Sequence, residues 1–382
     1  MKITYGKHFI DQEDINFVTK SLKSNYITQG PNINLFEKKL KKKFNAKSVA
    51  VVSSGTAALH LAGMALGWKS KDIILTTPIT FVATANAVLY AGAQLDFVDI
   101  ETNSLNMDLD QLENKIKKLK NLNKKVTSVV MVDYAGNPCP WSDIKYLSNK
   151  FEFTVINDNC HAIGSRYKNS ISYAVKYADV VTHSYHAVKN ITTGEGGAAL
   201  SLNKKIIDKI KILRTHGLKY FDHKKNKSFY DMRLLGYNYR LTDFQAALGI
   251  SQLNKLDKFI KRRQEIAKIY DEGFKNNEKL IIPPVSKYSS HSYHLYPLQV
   301  IFNKTKILYK KKLFEKMRKK NIILQSHYMP IYNHTFYKKK FNKKNFPVSE
   351  KFYKNEVSIP IYYSLKNHEV AKIIKLINYY TK

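Results

Sequence analysis

The stretch "SVAVVSSGTAALHLAGMALG", residues 48–67, decides the fold class of this chain. Its first five residues are mostly apolar and β-branched, which is typical of a buried strand. A turn of small polar residues follows, and the Ala- and Leu-rich run after it predicts a helix. A short apolar strand that leads directly into a helix is the unit from which sheets covered on both faces are built.

The same alternation continues on the C-terminal side of this stretch to about residue 215. Further strands are predicted at 72–77, 94–100, 127–134, 153–158, 178–184 and 196–201. Helices are predicted at 14–23 and 35–44 before the opening stretch, and at 81–92, 107–120, 141–150 and 203–215 after it. The pattern predicts an α/β fold in which residues 1–255 form a large domain with a mainly parallel mixed sheet covered by helices.

The sequence pattern changes after about residue 255, where a long polar helix is predicted. It is followed by the Pro- and Ser-containing stretch "LIIPPVSKYSSHS" (280–292). That stretch predicts a connection between domains. Beyond it the patterns predict strands at 296–302 and 321–326, helices at 307–320 and 367–380, and an irregular Lys/Asn segment at 338–346. Residues 256–382 are therefore expected to form a smaller C-terminal α+β domain.

The charge of the chain has two interpretations. The formal net charge is +34, which could indicate a nucleic-acid or membrane-surface partner. However, only seven of the 64 basic residues are arginine, the preferred reader of phosphates and bases, and the lysines are dispersed. We therefore predict no nucleic-acid partner.

The location of the chain is predicted from apolar runs and cysteines. No apolar run approaches the ~20 residues that span a bilayer, and the N-terminus shows no signal core. Cys139 and Cys160 have no metal-site spacing and fit a reducing compartment. The expectation is a cytoplasmic protein with no membrane partner and no metal.

Three groups of polar residues stand at predicted strand ends, where open α/β sheets bind ligands. The small residues of "SSGT" (53–56) either cradle an anion at a helix N-terminus or serve packing. Asp158, which ends the predicted strand in "INDNCHAIG" (156–164), either caps a helix or turn or holds a positive charge on a ligand, and His161 either bonds a ligand or is a satisfied turn histidine. Lys189 lies in an irregular loop between two apolar strands, where desolvation would lower its pKa and free a neutral amine.

Together these groups suit one cofactor, pyridoxal 5'-phosphate (PLP). A lysine forms a Schiff base with it, a carboxylate keeps the ring nitrogen protonated, and an anion cradle holds its phosphate.

At this point the motifs resemble a known family, the DegT/DnrJ/EryC1/StrS sugar aminotransferases, which have the type I PLP-dependent aminotransferase fold. The resemblance covers nearly the whole chain. It is carried, in order, by "FIDQEDI", "ITQGPNINLFEKKL", "SSGTAALHLA", "TTPITFVATANAVLYAGAQLDFVDI", "VDYAGNPCP", "INDNCHAIGS", "SYHAVKNITTGEGGAAL", "LGYNYRLTDFQAALGISQL", "HLYPLQV" and "HYMPIY".

The resemblance implies roles for individual residues. Lys189 would be the Schiff-base lysine and proton shuttle, Asp158 would pair with the ring nitrogen, and His161 would lie near the ring hydroxyl. Phe81 would stack on the ring, although core packing is its alternative. The phosphate would be held by Ser54, Gly55, Thr56 and Ser184 of one subunit and Asn238 of its neighbour, in a homodimer with shared active sites.

Two positions depart from the family pattern. The family usually has an acidic residue before the ring aspartate and a small residue after it, and this chain has Asn157 and Asn159. The presence of Lys189 favours transamination over the dehydration that histidine-containing relatives perform.

Within the family, the resemblance is to enzymes that aminate C4 of a UDP-linked 4-keto-6-deoxy-N-acetylhexosamine in pseudaminic acid biosynthesis, with L-glutamate as donor. The implied substrate-side residues are Tyr5, Lys7, Thr28, Arg240, His294 and His327. An ion-pair role is open for Arg240, and surface or hinge roles are open for the two histidines. Other readings are a dTDP- or GDP-linked substrate, amination at C3, a silent relative that acts as a scaffold, and a basic nucleic-acid-binding protein.

Overall fold

A seven-stranded sheet forms the centre of the larger domain in the computed structural model, which describes residues 2–220, 229–302 and 306–381. The strands of the chain are β1 Ser48–Val52, β2 Ile73–Thr76, β3 Gln94–Phe97, β4 Val126–Val132, β5 Thr154–Asp158, β6 Arg166–Tyr167, β7 Val180–Ser184, β8 Gly197–Ser201, β9 Leu218–Tyr220, β10 Tyr230–Met232, β11 Leu280–Ile281, β12 Ser289–Ser290, β13 Tyr296–Val300 and β14 Glu356–Ile359.

Helices cover the sheet and build most of the smaller domain. They are α1 Gln12–Leu22, α2 Pro31–Phe44, α3 Gly55–Leu66, α4 Val82–Tyr90, α5 Leu109–Asn121, α6 Trp141–Phe151, α7 Tyr173–Tyr177, α8 Lys204–Leu213, α9 Asp243–Asn254, α10 Leu256–Phe274, α11 Lys306–Lys319, α12 Pro347–Asn355 and α13 Asn367–Tyr380.

The order of the large sheet is β1-β8-β7-β5-β4-β2-β3. Strands β7, β5, β4, β2 and β3 pair in parallel, and β8 runs antiparallel to both β1 and β7. The sheet is therefore mainly parallel and mixed, as predicted. Because β1 has the same direction as β4, β5 and β7, the carboxyl ends of these strands meet at one edge.

Local signals explain where two of the helices begin. Ser54 caps α3, since its side chain accepts a hydrogen bond from the backbone N–H of Ala57 at 3.0 Å. Helix α2 begins at Pro31, four residues before the predicted start, because proline has a preset φ and needs no donor at the first helical position. It ends at Asn45, which adopts a left-handed conformation with φ 53°.

The smaller domain has its own apolar core, which packs around the sheet β11-β13-β14. The division at residue 255/256 stays a prediction, because the apolar clusters cross it in several places. Two smaller clusters contain residues from both sides, with Leu295 and Phe352 beside Ile79 in one and Ile331 beside Phe97 in the other. Ile3, from the N-terminal segment, packs in the core of the smaller domain. Helix α10 joins the two cores, because Leu256, Phe259 and Ile260 pack with the large domain while Ile266 and Tyr270 pack with the small one.

The strand predicted at 321–326 is wrong. This segment makes only isolated bridges, Ile3 with Ile322 and Gln325 with Ser358. The reason is that its backbone bonds are divided between two different neighbours, Ile3 near its start and Ser358 near its end, so that neither pairing extends into a ladder. The apolar pattern of the segment reflects its burial and not a ladder.

Among the residues that the structure describes, no helix combines the length and the apolar character that a membrane crossing requires.

Candidate active site

A cavity of about 530 Å³ opens at the carboxyl edge of the large sheet and reaches the small domain. Most of the residues predicted for the site line it, although they come from distant parts of the chain. These are Tyr5, Ser54, Gly55, Thr56, Phe81, Asp158, His161, Ser184, Lys189, His294 and His327.

One end of the cavity is formed by the first turn of α3 and the end of β7. The register pairs Gly197 with Ser184 on one side and with Val52 on the other, which brings the turn after β1 beside Ser184. A Cβ at Gly197 would lie 2.4 Å from the Ser54 carbonyl oxygen, so only glycine permits this approach. The free backbone N–H groups at the N-terminus of α3, next to the hydroxyls of Ser54 and Ser184, form a site for an anion.

Asp158 ends β5 at the floor of the cavity and is 5% exposed. Its Oδ2 accepts a hydrogen bond from Thr84 Oγ1 at 2.7 Å, and Thr84 is in turn bonded to the Thr80 hydroxyl at 2.8 Å. Its Oδ1 accepts from the backbone N–H of Cys160 at 3.3 Å. The carboxylate is therefore held in place and is positioned to bind a cationic N–H.

Lys189 is half-buried in the wall of the cavity, in the loop that joins β7 to antiparallel β8. Burial lowers the pKa of its amine, and the nearby Cys160 and Asp158 partly oppose this effect. The Lys189 Nζ lies 3.5 Å from Nε2 of His294. A lysine in this environment is neutral over a wider pH range than a solvated one and can act as a nucleophile or a base.

His161 is buried between the floor of the cavity and Tyr328. Its Nδ1 accepts from the backbone N–H of Ala135 at 3.3 Å, and burial holds the pKa of the ring well below its usual value. The neutral ring must therefore carry its hydrogen on Nε2, which lies 3.0 Å from the Tyr328 hydroxyl. In this tautomer His161 donates to Tyr328, and the hydroxyl hydrogen of Tyr328 remains available to a ligand.

His294 and His327 form the small-domain side of the cavity. Burial holds the pKa of His294 well below its usual value and lowers that of His327 to about 3, so both rings are neutral. The Nδ1 atom of each ring is buried without a hydrogen-bond partner. The backbone of His327 is held at both ends, since its N–H donates to Glu356 and its carbonyl accepts from the Tyr134 hydroxyl.

Four predicted residues lie outside this cavity in the single chain. Lys7 is exposed. Thr28 forms a bridge with Thr242, and Asn238 forms one with Thr215. Arg240 lines a separate pocket of about 160 Å³ together with Gln29, Gly30 and Arg214. Their roles stay predictions.

Sequence reasoning missed several residues that line the cavity, including Thr84, Cys160, Glu195, Gln325 and Tyr328. Thr84 lies inside a helical pattern, and Gln325 lies inside the segment that was mistaken for a strand. The signal that could have found Tyr328 is its position next to His327.

The site fits PLP. A cradle that a Cβ would fill, a fixed carboxylate and an amine of lowered pKa share one cavity, and these are the three groups that the cofactor needs. Ser54, Gly55, Thr56 and Ser184 would hold the phosphate, Asp158 the ring nitrogen, and Lys189 the aldehyde carbon. Phe81 is half exposed at the rim, with its ring centroid 6.0 Å from that of Tyr328, so it is not part of a packed core.

Comparison with known proteins agrees with this arrangement. The model of the DegT/DnrJ/EryC1/StrS aminotransferase family matches residues 8–378. A UDP-4-amino-4,6-dideoxy-N-acetyl-beta-L-altrosamine transaminase from Campylobacter jejuni is 42% identical over 373 residues, which are 98% of this chain and 96% of that protein.

Solved structures show the same likeness. Helicobacter pylori PseC, an aminotransferase involved in the biosynthesis of pseudoaminic acid, superposes with a TM-score of 0.90 at 33% identity, over 100% of this chain and 99% of that chain. A Streptococcus pneumoniae protein named as a sugar aminotransferase, in its PLP form, has a TM-score of 0.89 at 27% identity, over 100% of this chain and 99% of that chain. The predicted type I fold and the PLP cofactor are confirmed. The chain belongs to the DegT/DnrJ/EryC1/StrS aminotransferase family and is a PLP-dependent sugar aminotransferase.

Proposed function

We propose that this enzyme transfers the amino group of L-glutamate to C4 of a UDP-linked 4-keto-6-deoxy-N-acetylhexosamine, in the biosynthesis of pseudaminic acid. The observation that carries the proposal is the likeness, over almost the full length of both chains, to the Campylobacter transaminase and to PseC. A cavity of about 530 Å³ has room for the reacting sugar ring beside the cofactor.

When bound, PLP supplies an aldehyde that takes up amines and a ring that accepts an electron pair. The carboxylate of Asp158 favours the protonated ring nitrogen, because the Thr84 hydroxyl fixes the direction of its Oδ2. The neutral amine of Lys189 accepts the proton from the α-carbon of the donor and later delivers a proton to C4 of the sugar.

The three histidines contribute hydrogen bonds and not charge. His161, His294 and His327 are all neutral because burial lowers the pKa of each ring. His294 lies within 3.5 Å of the Lys189 Nζ and helps to direct its lone pair. Tyr5 and His327 contact each other, with ring centroids 5.0 Å apart, and are proposed to contact the sugar.

The test is a reconstituted reaction. Purified enzyme is mixed with glutamate and a panel of UDP-, dTDP- and GDP-linked keto sugars, and 2-oxoglutarate and the amino sugar are measured. Stoichiometric 2-oxoglutarate and a C4 amine, identified by NMR only with the UDP sugar, is the expected result. Turnover only with a dTDP- or GDP-linked sugar, or amination at C3, would overturn the substrate assignment.

Lys189→Ala is the matched negative control, because it should retain the fold and lose both the visible absorption band and activity. A band that survives borohydride treatment unchanged, with no label on Lys189, would contradict the role of this lysine. Binding to nucleic acid that falls steeply with salt, in a protein that stays colourless with PLP, would instead favour the nucleic-acid reading.

We also propose a homodimer whose subunits share their active sites. Thr28, Asn238 and Arg240 lie outside the cavity of their own chain, although each is expected at a substrate or phosphate site. Large exposed apolar side chains flank them in the sequence, such as Ile27 and Leu235, the latter 78% exposed. Such side chains mark a surface that another chain covers.

The dimer is tested by mixing two inactive variants, Lys189→Ala and Asn238→Ala. If Asn238 completes the partner's site, a mixed dimer contains one intact site, and mixing should recover part of the activity. A monomer in solution, or no recovery after subunit exchange, would refute the shared site.

A further inference from the structure

One buried carboxylate holds both residues that flank Asp158. Asn157 Nδ2 and Asn159 Nδ2 donate to the same atom, Asp133 Oδ2, at 3.1 Å and 2.9 Å. Side chains alternate along a strand, so these two amides lie on the face of β5 opposite to Asp158. Asp133 therefore holds β5 on the face opposite to the cavity, at the position where Asp158 forms the cavity floor.

The remaining contacts of Asp133 also come from donors, which is the arrangement that suits a carboxylate acceptor. Oδ2 also accepts from the Tyr173 hydroxyl at 2.7 Å, while Oδ1 accepts from the Cys139 N–H at 2.8 Å and from Trp141 Nε1 at 3.1 Å. All five partners donate, and an ionised carboxylate accepts at both oxygens. Burial raises the pKa of Asp133, and the hydrogen bonds from Cys139, Tyr173 and Asn157 oppose that rise.

These contacts with Asp133 matter because the pairing of β5 with its neighbouring strands ends at Asp158. Asp158 is the last residue of β5 that pairs, with Val132 of β4 on one side and Thr182 of β7 on the other. Asn159 follows, with its N–H bonded to the Thr182 carbonyl at 3.0 Å and its carbonyl bonded to the N–H of Ala162 in the turn at 2.9 Å. Beyond its last ladder pair a strand is less restrained in rotation about its axis, and such a rotation would change the direction of the Asp158 side chain. Thr84 and the Cys160 N–H hold the carboxylate on the cavity side, and Asp133 holds the two neighbouring residues on the opposite side.

We propose that Asp133 is a positioning residue, which acts through Asn157 and Asn159 to set the direction in which Asp158 presents its carboxylate to the ring nitrogen of the cofactor. This inference rests on the role proposed above for Asp158. It also gives a structural account of the two asparagines, whose amides supply the donors that a buried carboxylate at residue 133 requires.

The test is a double-mutant cycle on cofactor affinity, measured by titrating the apoenzyme with PLP and following its absorption. Asp133→Asn places an NH₂ group against donors, so we expect the Kd for PLP to rise about tenfold in the wild-type background. In the Asp158→Asn background the same change should alter the Kd for PLP less than about twofold, because the carboxylate that Asp133 is proposed to direct is absent.

Two further variants separate positioning from general destabilisation. Ser128→Ala removes the acceptor of the Trp68 indole N–H at the other end of β4, so it should lower Tm and leave the PLP affinity unchanged. Asn159→Ala keeps the carboxylate and removes one donor, and it should weaken PLP binding about threefold. If Asp133→Asn does not fold, the PLP affinity of Asn159→Ala tests the proposal by itself.

Equal weakening by Asp133→Asn in both backgrounds would overturn the proposal, as would unchanged affinity in both Asp133→Asn and Asn159→Ala. If Asp158→Asn by itself leaves the affinity and the absorption spectrum unchanged, the proposed role of Asp158 is wrong instead. The two failures are therefore distinguishable.

Discussion

The substitution Gly55→Ala tests how closely α3 and β7 must approach each other to form the phosphate cradle. An added Cβ would lie 2.8 Å from Ser184 Cβ, 3.2 Å from its Oγ and 3.3 Å from its Cα. The two elements would have to separate by about 0.6 Å to reach the 3.4 Å of an ordinary contact. Neither can rotate away, because one atom belongs to the first turn of a helix and the others to the end of a strand.

The expected cost follows from this overlap. Overpacking of this kind costs about 1–3 kcal/mol. The separation also moves the backbone N–H groups of α3 away from the Ser184 hydroxyl, so an anion can no longer contact both well. If most of this free-energy cost falls on the PLP-bound enzyme, the Kd for PLP rises about ten- to hundredfold.

The assay is an absorption titration of apoenzyme with PLP, accompanied by a thermal melt. Gly63→Ala is the matched control, because it makes the same change in the same helix, eight residues further on. Its Cβ would lie 2.3 Å from the Trp68 ring, so it should lower Tm at least as much without changing PLP affinity. A Gly55→Ala enzyme that binds PLP within about twofold of wild type, or a Gly63→Ala enzyme that loses affinity equally, would refute the reasoning.

Three further predictions concern the amine of Lys189, the buried cation of Arg263 and the partly buried cation of Lys255. Because burial lowers the pKa of Lys189, its labelling by an amine reagent in the apoenzyme should reach half of its maximum at a lower pH than labelling of surface lysines; an equal midpoint would contradict this. Arg263 donates to the carbonyl of His294 at 3.4 Å and to two other carbonyls, so Arg263→Lys should raise the KM for the sugar more than it lowers kcat; a change in kcat alone would oppose a positioning effect. Lys255 is partly buried and pairs with the fully buried Asp14 at 3.0 Å, and Asp14 also accepts from the Asp11 N–H and from Gln252. Lys255→Met should therefore lower the free energy of unfolding by about 1.5–3 kcal/mol in denaturant titrations, and a loss below about 0.5 kcal/mol would show that the pair contributes little.

Sequence reasoning succeeded where a local pattern and a general rule of sheets coincide. Ser54, Asp158 and Lys189 each follow an apolar run, and strands that share a direction bring such residues to one edge. No distances were needed to predict that they meet.

Reasoning of this kind failed where the deciding partner is distant in the chain. The segment at 321–326 has the composition of a strand, but its backbone partners are Ile3 and Ser358, which no local pattern reveals. The contacts of Asp133 with Asn157 and Asn159 join residues more than twenty positions apart, so the asparagines looked like unexplained departures. Their meaning depends on side-chain directions that only the folded chain shows.

The position of β1 at one end of the large sheet has a consequence for how the enzyme is made. Its partner in the sheet is β8, and the register joins Val52 to Gly197 across most of the large domain. During synthesis, the turn after β1 leaves the ribosome long before the strand that fixes it, and this contact must close a long loop. The helical and parallel parts of the domain can therefore form first, and the end of the site that is proposed to bind phosphate is completed only when the chain has grown past β8.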